Sequence, residues 1–343
     1  GELRQAVLTI VVDLDQTISG MAIKHDRINK TLTISQKSRI QALLEQNGMS
    51  QAKGKETPLP DEKITSEGCP TTEAEQQQVA QKCGFTSYTE LVNKMRILIG
   101  AYGYLACWGR PDIRFAAYFL ARFQARPSAR HWQLTQRLLR YLSHTIDLKL
   151  TFDPTKSKYD LATLRLPDEH DLYGMVDSNF TNADDTKSTT GYLFWFYGCP
   201  IVCESKKQRC VTNSTSEAEL IAASLATRRC KYLRRLLQDD FHIKLKRTPI
   251  GEDNQGCIHI SRGGGDFTKS RHTRNADSYV YQEQVLNKTI DLRYITSADN
   301  ISDIFTKALG PIIYKKLRNR LMRHDDSYEE NFTMIAIEEN SEK

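Results

Sequence analysis

The stretch Leu172-Tyr-Gly-Met-Val-Asp-Ser-Asn179 indicates how the C-terminal half of the chain folds. Its apolar residues predict a strand buried in a sheet, and Asp177 interrupts that apolar run. A carboxylate in such a strand costs free energy unless a cation pairs with it. Asp177 is therefore hard to explain as a purely structural residue, and it is the first candidate for chemistry.

The sequence after this strand alternates between strand and helix patterns. Ser214 or Thr215 can cap a long helix that runs to Leu237, and a Gly-rich loop begins at Gly263. The predicted order is β-β-β-α-β-α-α-β-α, a mixed α/β arrangement. Further strands are predicted at 191–197, 200–203, 208–212 and 290–295, and another short strand ends at Asp253. The last helices are predicted at 273–286 and 300–309.

Three more acids accompany the strand acid. Glu219 lies in the first turns of the long helix, Asp253 ends a strand, and Asp303 lies early in the last helix. Each alone is readily explained as a cap or a turn former, and spacing does not show that the four converge. If they do converge, carboxylate oxygens suit Mg²⁺, and two such ions can promote phosphodiester hydrolysis.

Composition narrows the class of protein. The 343 residues are 39% apolar and 26% charged, with a net charge of +6, which excludes a disordered chain, a collagen and a membrane bundle. Residues 91–150 hold 10 Lys and Arg residues against two acids. That local excess favours a polyanionic partner, although a merely soluble surface explains charge alone equally well.

The N-terminal half divides into three parts. Strands are predicted at 6–12, 20–24 and 31–34, and a helix at 36–46 follows Ser35. Residues 51–86 collect prolines and acids and are predicted to form a linker. From Ser87 to His144 the pattern is helical throughout, and the arginines of its third helix are available for a phosphate backbone.

Several motifs, in this order, give the chain a family resemblance. The chain resembles the C-terminal part of the Pol polyprotein of copia-type long-terminal-repeat retrotransposons over roughly residues 13–320. The motifs are Arg110-Pro-Asp-Ile113, His131 to Leu142, Lys187-Ser-Thr-Thr-Gly-Tyr192, Ser205-Lys-Lys-Gln208, Ser214-Thr-Ser-Glu-Ala-Glu-Leu-Ile-Ala222, Glu252-Asp-Asn-Gln255 and Asp299-Asn-Ile-Ser-Asp-Ile-Phe-Thr-Lys-Ala-Leu309.

The resemblance implies a domain plan. Residues 1–50 would be the end of a reverse transcriptase palm and a thumb remnant, 51–86 a linker, and 87–150 a helical connection region. Residues 171–310 would form a ribonuclease H-like domain, a mixed five-stranded sheet with helices. An acidic tail at 324–343, predicted to be disordered, closes the chain.

The resemblance also assigns site residues and cofactors. Asp177, Glu219, Asp253 and Asp303 would be both the catalytic acids and the ligands of two Mg²⁺ ions, with Mn²⁺ as a substitute. Glu219 is preferred over Glu217 because it precedes Leu-Ile-Ala, as the family's helix acid does. Nucleic-acid contacts are predicted for Arg110, Arg122, Arg126, Arg130, Arg137, Arg140, Lys206 and Lys207.

Several features depart from the family pattern: Asn179 stands where the family usually has a second Asp, Cys203 stands where a Trp is usual, and three other departures bear on activity. Arg271-His-Thr-Arg274 replaces a pattern that normally carries an acid, and no His lies between Ile290 and Asp303, where many ribonucleases H have a mobile one. The Tyr-x-Asp-Asp turn that reverse transcription needs is missing from the sequence. This stretch is therefore expected not to polymerise DNA.

The predicted function is metal-dependent cleavage of the RNA strand of RNA–DNA hybrids during reverse transcription. The expected partners are the hybrid, the template–primer duplex and the rest of the Pol polyprotein (palm, integrase and protease), with no membrane. The expected location is the cytoplasm, in a virus-like particle, or the nucleus. Two alternatives stay open: a catalytically decayed binding module, and a DNA nuclease of the same fold.

Overall fold

The computed structural model describes residues 16–156, 164, 171–180, 187–264, 275–276 and 279–323. The predicted strand at 6–12, the departure at 271–274 and the predicted acidic tail at 324–343 lie outside the described residues. Among the described helices, none combines the length and apolar content that crossing a membrane requires.

A small antiparallel sheet forms in the N-terminal part. Its strands are β1 (Gln16–Ile18), β2 (Met21–Asp26), β3 (Thr31–Ser35) and β4 (Leu150–Phe152), hydrogen-bonded in that order. The Asp26 carboxylate accepts hydrogen bonds from the main-chain N–H groups of Ile28 and Asn29, both at 2.9 Å, and so stabilises the polar turn between β2 and β3. Helix α1 (Lys37–Glu45) follows β3, as predicted.

The predicted linker at 51–86 contains a helix, α2 (Glu73–Lys82). Its N-terminus is a capping box: the Thr72 hydroxyl accepts from the Glu75 N–H, and the Glu75 carboxylate accepts from the Thr72 N–H. The prolines of this region lie before this helix, and Ala80 within it is buried.

The stretch from Ser87 to His144, which contains most of the basic residues counted at 91–150, is largely helical, as its pattern predicts. The hydroxyls of Ser87 and Ser128 cap two of its helices by accepting from the N–H groups three residues later. The helices are α3 (Tyr88–Trp108), a 3₁₀ turn (Pro111–Ile113), α4 (Arg114–Ala121) and α5 (Ala129–His144).

The second sheet is the predicted five-stranded mixed sheet. Its order is β7-β6-β5-β8-β9; β5, β6 and β7 are antiparallel neighbours, whereas β8 and β9 run parallel to β5. The elements are β5 (Leu172–Asn179), β6 (Thr189–Phe196), β7 (Cys199–Lys207), α6 (Thr215–Arg235), β8 (Thr248–Glu252), α7 (Gln255–His259), β9 (Ile290–Tyr294) and α8 (Pro311–Met322), with π-type turns at Leu236–Asp240, Ile260–Gly264 and Gln282–Leu286.

Two details of the predicted order are wrong. Residues 208–212 do not form a strand, because the Gln208 side chain turns inward and donates to the Ala218 carbonyl of α6 at 2.9 Å. The predicted helix at 300–309 is only a 3₁₀ turn (Ile301–Phe305), and the helix of this region is α8.

Alternate residues of β5 point to opposite faces of the sheet, as the strand period requires. Tyr173 and Met175 belong to the core that the sheet shares with α3, α5 and α8. Leu172 and Val176 belong to a second core beneath α6. The helical part and the sheet are thus packed around one continuous apolar interior on one side of β5.

Candidate active site

Three carboxylates from separate elements meet at one end of the five-stranded sheet. Asp177 comes from β5, Glu219 from α6 and Asp253 from the residue after β8. One carboxylate oxygen of each lies within 4.8 Å of the others. The side chains of Asp177 and Glu219 are buried, and Asp253 is half-buried. The convergence that spacing left open is therefore present in the structure for these three acids.

The capping of the N-terminus of helix α6 explains why Glu219, and not Glu217, belongs to the acidic site. The Ser214 hydroxyl accepts from the Glu217 N–H at 3.2 Å, and the Glu217 carboxylate accepts from the Asn213 N–H at 2.8 Å. Glu217 is thus a capping residue. Glu219, two positions further into the helix, is the one that reaches the other acids.

A glycine opposite Asp177 makes room for the turn that carries Asp303. Gly191 is the register partner of Asp177 on β6. A Cβ atom at this position would lie 2.6 Å from Cγ2 of Thr306 and 2.8 Å from Cβ of Phe305. The missing side chain therefore lets the 3₁₀ turn pack directly on the sheet beside the site.

Asn300 fixes this turn to β5. Its Nδ2 donates to the Val176 carbonyl at 2.9 Å, and its Oδ1 accepts from the Ser302 N–H at 3.1 Å. The adjacent residue of β5 is Asp177, so this amide holds the turn in register with the strand acid. The bond to Val176 has no local sequence signal, because its partners are 124 residues apart, whereas the bond to Ser302 is a local N-cap contact.

A lysine lies between Asp303 and the three-acid group. The Lys307 ammonium lies 2.9 Å from Asp303 Oδ1 and 3.9 Å from Asp177 Oδ2. The Thr306 hydroxyl also donates a hydrogen bond to Asp177. Asp303 is not within the three-acid group, so the structure gathers three of the predicted ligands and sets the fourth at its edge.

Sequence reasoning missed Thr306 and Lys307, although both lie in the motif that contains Asp303. The available signal was the Asp-x-x-x-Lys spacing of 303 and 307, since residues four apart face each other on a helical turn. Glu252 was missed as well. It is fully buried beside Asp253, and its Oε1 accepts from the Asn254 N–H at 2.9 Å.

Burial dominates the electrostatics of this site. It raises the pKa of Asp177, although Lys307 and the Thr306 hydroxyl act in the opposite direction. It raises the pKa of Glu219 well above its usual range, and the charges of Glu252, Asp177 and Asp253 add to the rise. Burial and the Asp177 charge raise the pKa of Asp303 to about 8.

These properties fit a divalent cation. Glu219 Oε2 is buried and has no hydrogen-bond partner among the described residues, so the site contains an unsatisfied oxygen. Ligand oxygens lie about 2.0–2.1 Å from Mg²⁺, so opposite ligands are about 4 Å apart. One oxygen of each of the three carboxylates lies within 4.8 Å of the others, which is close to that distance. A bound cation would also offset the repulsion that raises these pKa values.

Comparison with known proteins shows what the chain is similar to. No protein-family profile matches the chain. The retrovirus-related Pol polyprotein from transposon TNT 1-94 of Nicotiana tabacum is 31% identical over 298 residues, which are 86% of this chain and 20% of that protein. The one from transposon RE1 of Arabidopsis thaliana is 26% identical over 308 residues, 88% of this chain and 19% of that protein. This chain is a relative of copia-type Pol polyproteins.

The chain spans about a fifth of the length of those polyproteins. A shorter protein is similar too: secreted RxLR effector protein 161 of Plasmopara viticola is 36% identical over 135 residues, 39% of this chain and 87% of the effector. Among solved structures, LC11-RNase H1 in complex with RNA/DNA hybrid matches 39% of this chain and 93% of its own, with 12% identity and a TM-score of 0.30.

The structure changes the assignment of one predicted nucleic-acid contact in this Pol relative. Arg110 is fully buried, and its guanidinium donates to both oxygens of Asp112 at 2.9 and 2.8 Å and to the Thr145 hydroxyl at 2.7 Å. Its charge is satisfied inside the protein and cannot reach a phosphate. Predicting Arg110 as a nucleic-acid contact was therefore wrong, and the local signal was its acidic neighbour two residues on.

The other predicted cations lie at or near the surface. Arg126 and Lys206 are exposed, and Arg140 and Lys207 are half-buried. Arg130 is exposed and pairs with Glu62. Their contact with nucleic acid stays a prediction.

Two further cations of the predicted set also hold the protein together. Arg122 donates to the Thr189 hydroxyl at 2.8 Å, which links the end of α4 to β6. Arg137 donates to the Thr57 carbonyl and hydroxyl at 3.2 and 2.8 Å, which fastens residue 57 to α5.

Proposed function

We propose that the five-stranded domain of this Pol relative cleaves the RNA strand of RNA–DNA hybrids with divalent cations bound at its acidic site. The observation that carries the proposal is the meeting of Asp177, Glu219 and Asp253, which come from three separate elements. Carboxylates are brought together at a desolvation cost, and hydrolytic metal sites are a recurrent reason for such clusters. The similarity to Pol polyproteins supports a role in reverse transcription.

Asp177, Glu219 and Asp253 would hold the cation, and Asp303 would contribute from the edge of the site. When bound, two Mg²⁺ ions, or Mn²⁺ in their place, supply an activated water and stabilise the leaving oxygen of the phosphodiester. Other residues of the site position the acids. Thr306 orients the Asp177 carboxylate through its hydroxyl, and Lys307 holds Asp303 next to it.

Selectivity for a hybrid would come from the shape of the duplex and from ribose 2′-hydroxyls rather than from base identity. The exposed cations Arg126, Arg130 and Lys206 are suited to phosphate contacts, so binding should weaken steeply as salt increases. The template–primer duplex is a second proposed partner for the same surface.

The polymerase reaction is not part of the proposal, because the sequence has no Tyr-x-Asp-Asp motif. We propose instead that the rest of a Pol polyprotein (palm, integrase and protease) supplies the other activities. The corresponding locations are a cytoplasmic virus-like particle and the nucleus, where reverse-transcribed DNA is used.

The test is cleavage of a hybrid whose RNA strand is end-labelled, with and without magnesium. Glu219→Gln should lower the cleavage rate by at least about 100-fold, because the loss of a direct ligand costs more than the loss of a supporting residue. Glu217→Gln is the matched control two positions away. It removes a capping interaction and should keep cleavage within a few-fold of the unmodified protein.

A chelator should abolish cleavage, and added magnesium should restore it. Duplex DNA with the same sequence should stay intact, which separates the proposed activity from that of a DNA nuclease. Hybrid binding without any cleavage would identify a binding module and refute the proposal. Cleavage that survives Asp177→Asn would refute the assigned site.

A further inference from the structure

A cleft of about 830 Å³ opens between the helical part and the five-stranded sheet. Residues 59–69 form one wall, the end of α4 and the residues after it form a second, and the ends of β5 and β6 form the third. This volume is in the range of ligand pockets, which is enough for a few nucleotides but not for a duplex. Two walls come from the helical part and one from the five-stranded sheet, so the cleft exists only where these two parts of the chain pack together.

The cleft is strongly basic. Of the described residues that line it, six are cationic and only Glu62 is acidic. Glu62 is itself paired with Arg130, which lies outside the cleft lining. Several cations in one concave surface concentrate polyanions by focusing the field. The cationic residues are Lys63, Arg122, Arg126, Lys187, Lys207 and Lys307.

Aromatic rings lie among these charges. Phe119 and Phe123 are half-buried, with ring centroids 5.5 Å apart, and the Arg122 guanidinium lies 5.1 Å from the Phe119 centroid. Phe180, directly after β5, is half-buried on the opposite side. Interleaved cations and rings are the features by which proteins bind single strands, since phosphates meet the cations and bases meet the rings.

The cleft leads to the acidic site. Thr306 and Lys307 line it, and the same two residues contact Asp177. Asn179 also lines the cleft, two residues along β5 from the strand acid, and its amide donates to the Thr306 carbonyl at 3.4 Å. A strand held in the cleft would therefore run next to the acids.

We propose that this cleft binds a short single-stranded stretch of nucleic acid, with its backbone on the cations and its bases against Phe119, Phe123 and Phe180. The inference goes beyond the proposed function, because such binding needs neither cleavage nor a divalent cation. Because the lining offers cations and rings rather than a pattern of base-reading groups, RNA and DNA strands of the same length should both bind.

The experiment measures fluorescence anisotropy of labelled uridine and thymidine oligonucleotides in the presence of a chelator at low salt. The test protein carries Lys63→Glu and Arg126→Glu, two exposed cations of the cleft. The matched control carries Arg27→Glu and Lys53→Glu, which are exposed, lie outside the cleft lining and change the net charge by the same amount. Thermal unfolding establishes that both variants remain folded.

The cleft variant should bind the oligonucleotides at least about tenfold more weakly than the unmodified protein, since phosphate contacts dominate such binding. The affinity of the control variant should stay within about twofold. Phe180→Ala should weaken binding several-fold without changing its salt dependence, because it removes a ring and no charge. Equal weakening in the cleft and control variants would overturn the proposal, as would full binding by Phe180→Ala. Neither result depends on hybrid cleavage, so this test and that of the proposed function can fail separately.

Discussion

The ammonium group of Lys307 lies 2.9 Å from the carboxylate of Asp303, four residues earlier in the sequence. Through this contact the protein brings its own positive charge to the edge of the acidic site, where Asp177 is 3.9 Å away. A lysine here partly neutralises acids that would otherwise repel one another. It also competes with any cation that those acids would bind.

Replacing Lys307 should therefore strengthen metal binding. Lys307→Met removes the charge and keeps most of the apolar stem, so the acids should attract a divalent cation more strongly. A pair of charges at 3–4 Å is worth a few kcal/mol at an effective dielectric constant of about 20, so a gain in affinity of at least about tenfold, equivalent to about 1.4 kcal/mol, is expected. Calorimetric titration with Mg²⁺ or Mn²⁺ and no nucleic acid measures it.

The control for this measurement is Lys316→Met. Lys316 pairs with Asp299 at 3.3 Å, and neither residue belongs to the acidic group. It should leave the affinity for the metal unchanged. A weaker affinity in Lys307→Met would show that the lysine organises the ligands rather than competing with the cation.

Arg110 and Asp112 form a buried ion pair whose loss should destabilise the protein strongly. Both side chains are about 1% exposed or less, and the Tyr141 hydroxyl donates to Asp112 at 2.6 Å. Removing one partner leaves a buried charge without compensation, which typically costs about 3–5 kcal/mol. Arg110→Met should lower the free energy of unfolding in urea by about that amount.

The comparison for Arg110 is Arg130→Met. Arg130 and Glu62 are each about half exposed, and such pairs contribute about 1 kcal/mol or less. The double variant Arg110→Met with Asp112→Leu should recover part of the lost stability, because no unpaired charge remains. If Arg110→Met were no more destabilising than Arg130→Met, the buried pair would have no structural role.

Local patterns predicted much of this fold, and partners distant in sequence explain what they missed. The apolar run around Asp177 marks β5, and the Ser87 and Ser128 caps mark two helices, since each signal lies within a few residues. Glu219 was preferred over Glu217 from a motif. Here the structure supplies the physical reason, which is that Glu217 is engaged at the helix cap.

The burial of Arg110 and the position of Lys307 depend on packing. Whether an arginine faces water or the interior is decided by what covers it, and the network around Arg110 includes Thr145, 35 residues away. Likewise, Gly191 explains the approach of the turn at 301–305 only when the sheet register is known. The sequence alone gives neither the register of the strands nor which residues pack over a given side chain.

Tyr314 should stabilise the contact between α8 and the helical part. Its hydroxyl donates to the Asp112 main-chain carbonyl at 2.9 Å, a bond that spans 202 residues, and it is buried. Tyr314→Phe keeps the ring and leaves that carbonyl without this donor, which should cost about 1–2 kcal/mol. Tyr232→Phe, at a ring that is 58% exposed, should be neutral in the same urea unfolding experiment.

His131 gives the helical part a dependence on pH. Burial lowers the pKa of His131 to about 4; the charge of Arg130 acts in the same direction, and the bond to the Thr65 carbonyl opposes it. The ring is neutral in the fold: Nδ1 accepts from the Ser128 N–H at 3.1 Å, and Nε2 lies 3.1 Å from the Thr65 carbonyl as its donor. Protonation of Nδ1 would break the capping contact.

Because the folded pKa is below the usual 6.5, this histidine favours folding fully above pH 6.5. As the pH falls from 6.5 towards 4, the unfolded chain takes up the proton first, and stability decreases by up to about 3 kcal/mol. Urea unfolding across this range measures the decrease. His131→Gln should lack it, so the difference in stability between the two proteins should change with pH. A difference that does not change with pH would show that the ring is not held neutral by the fold.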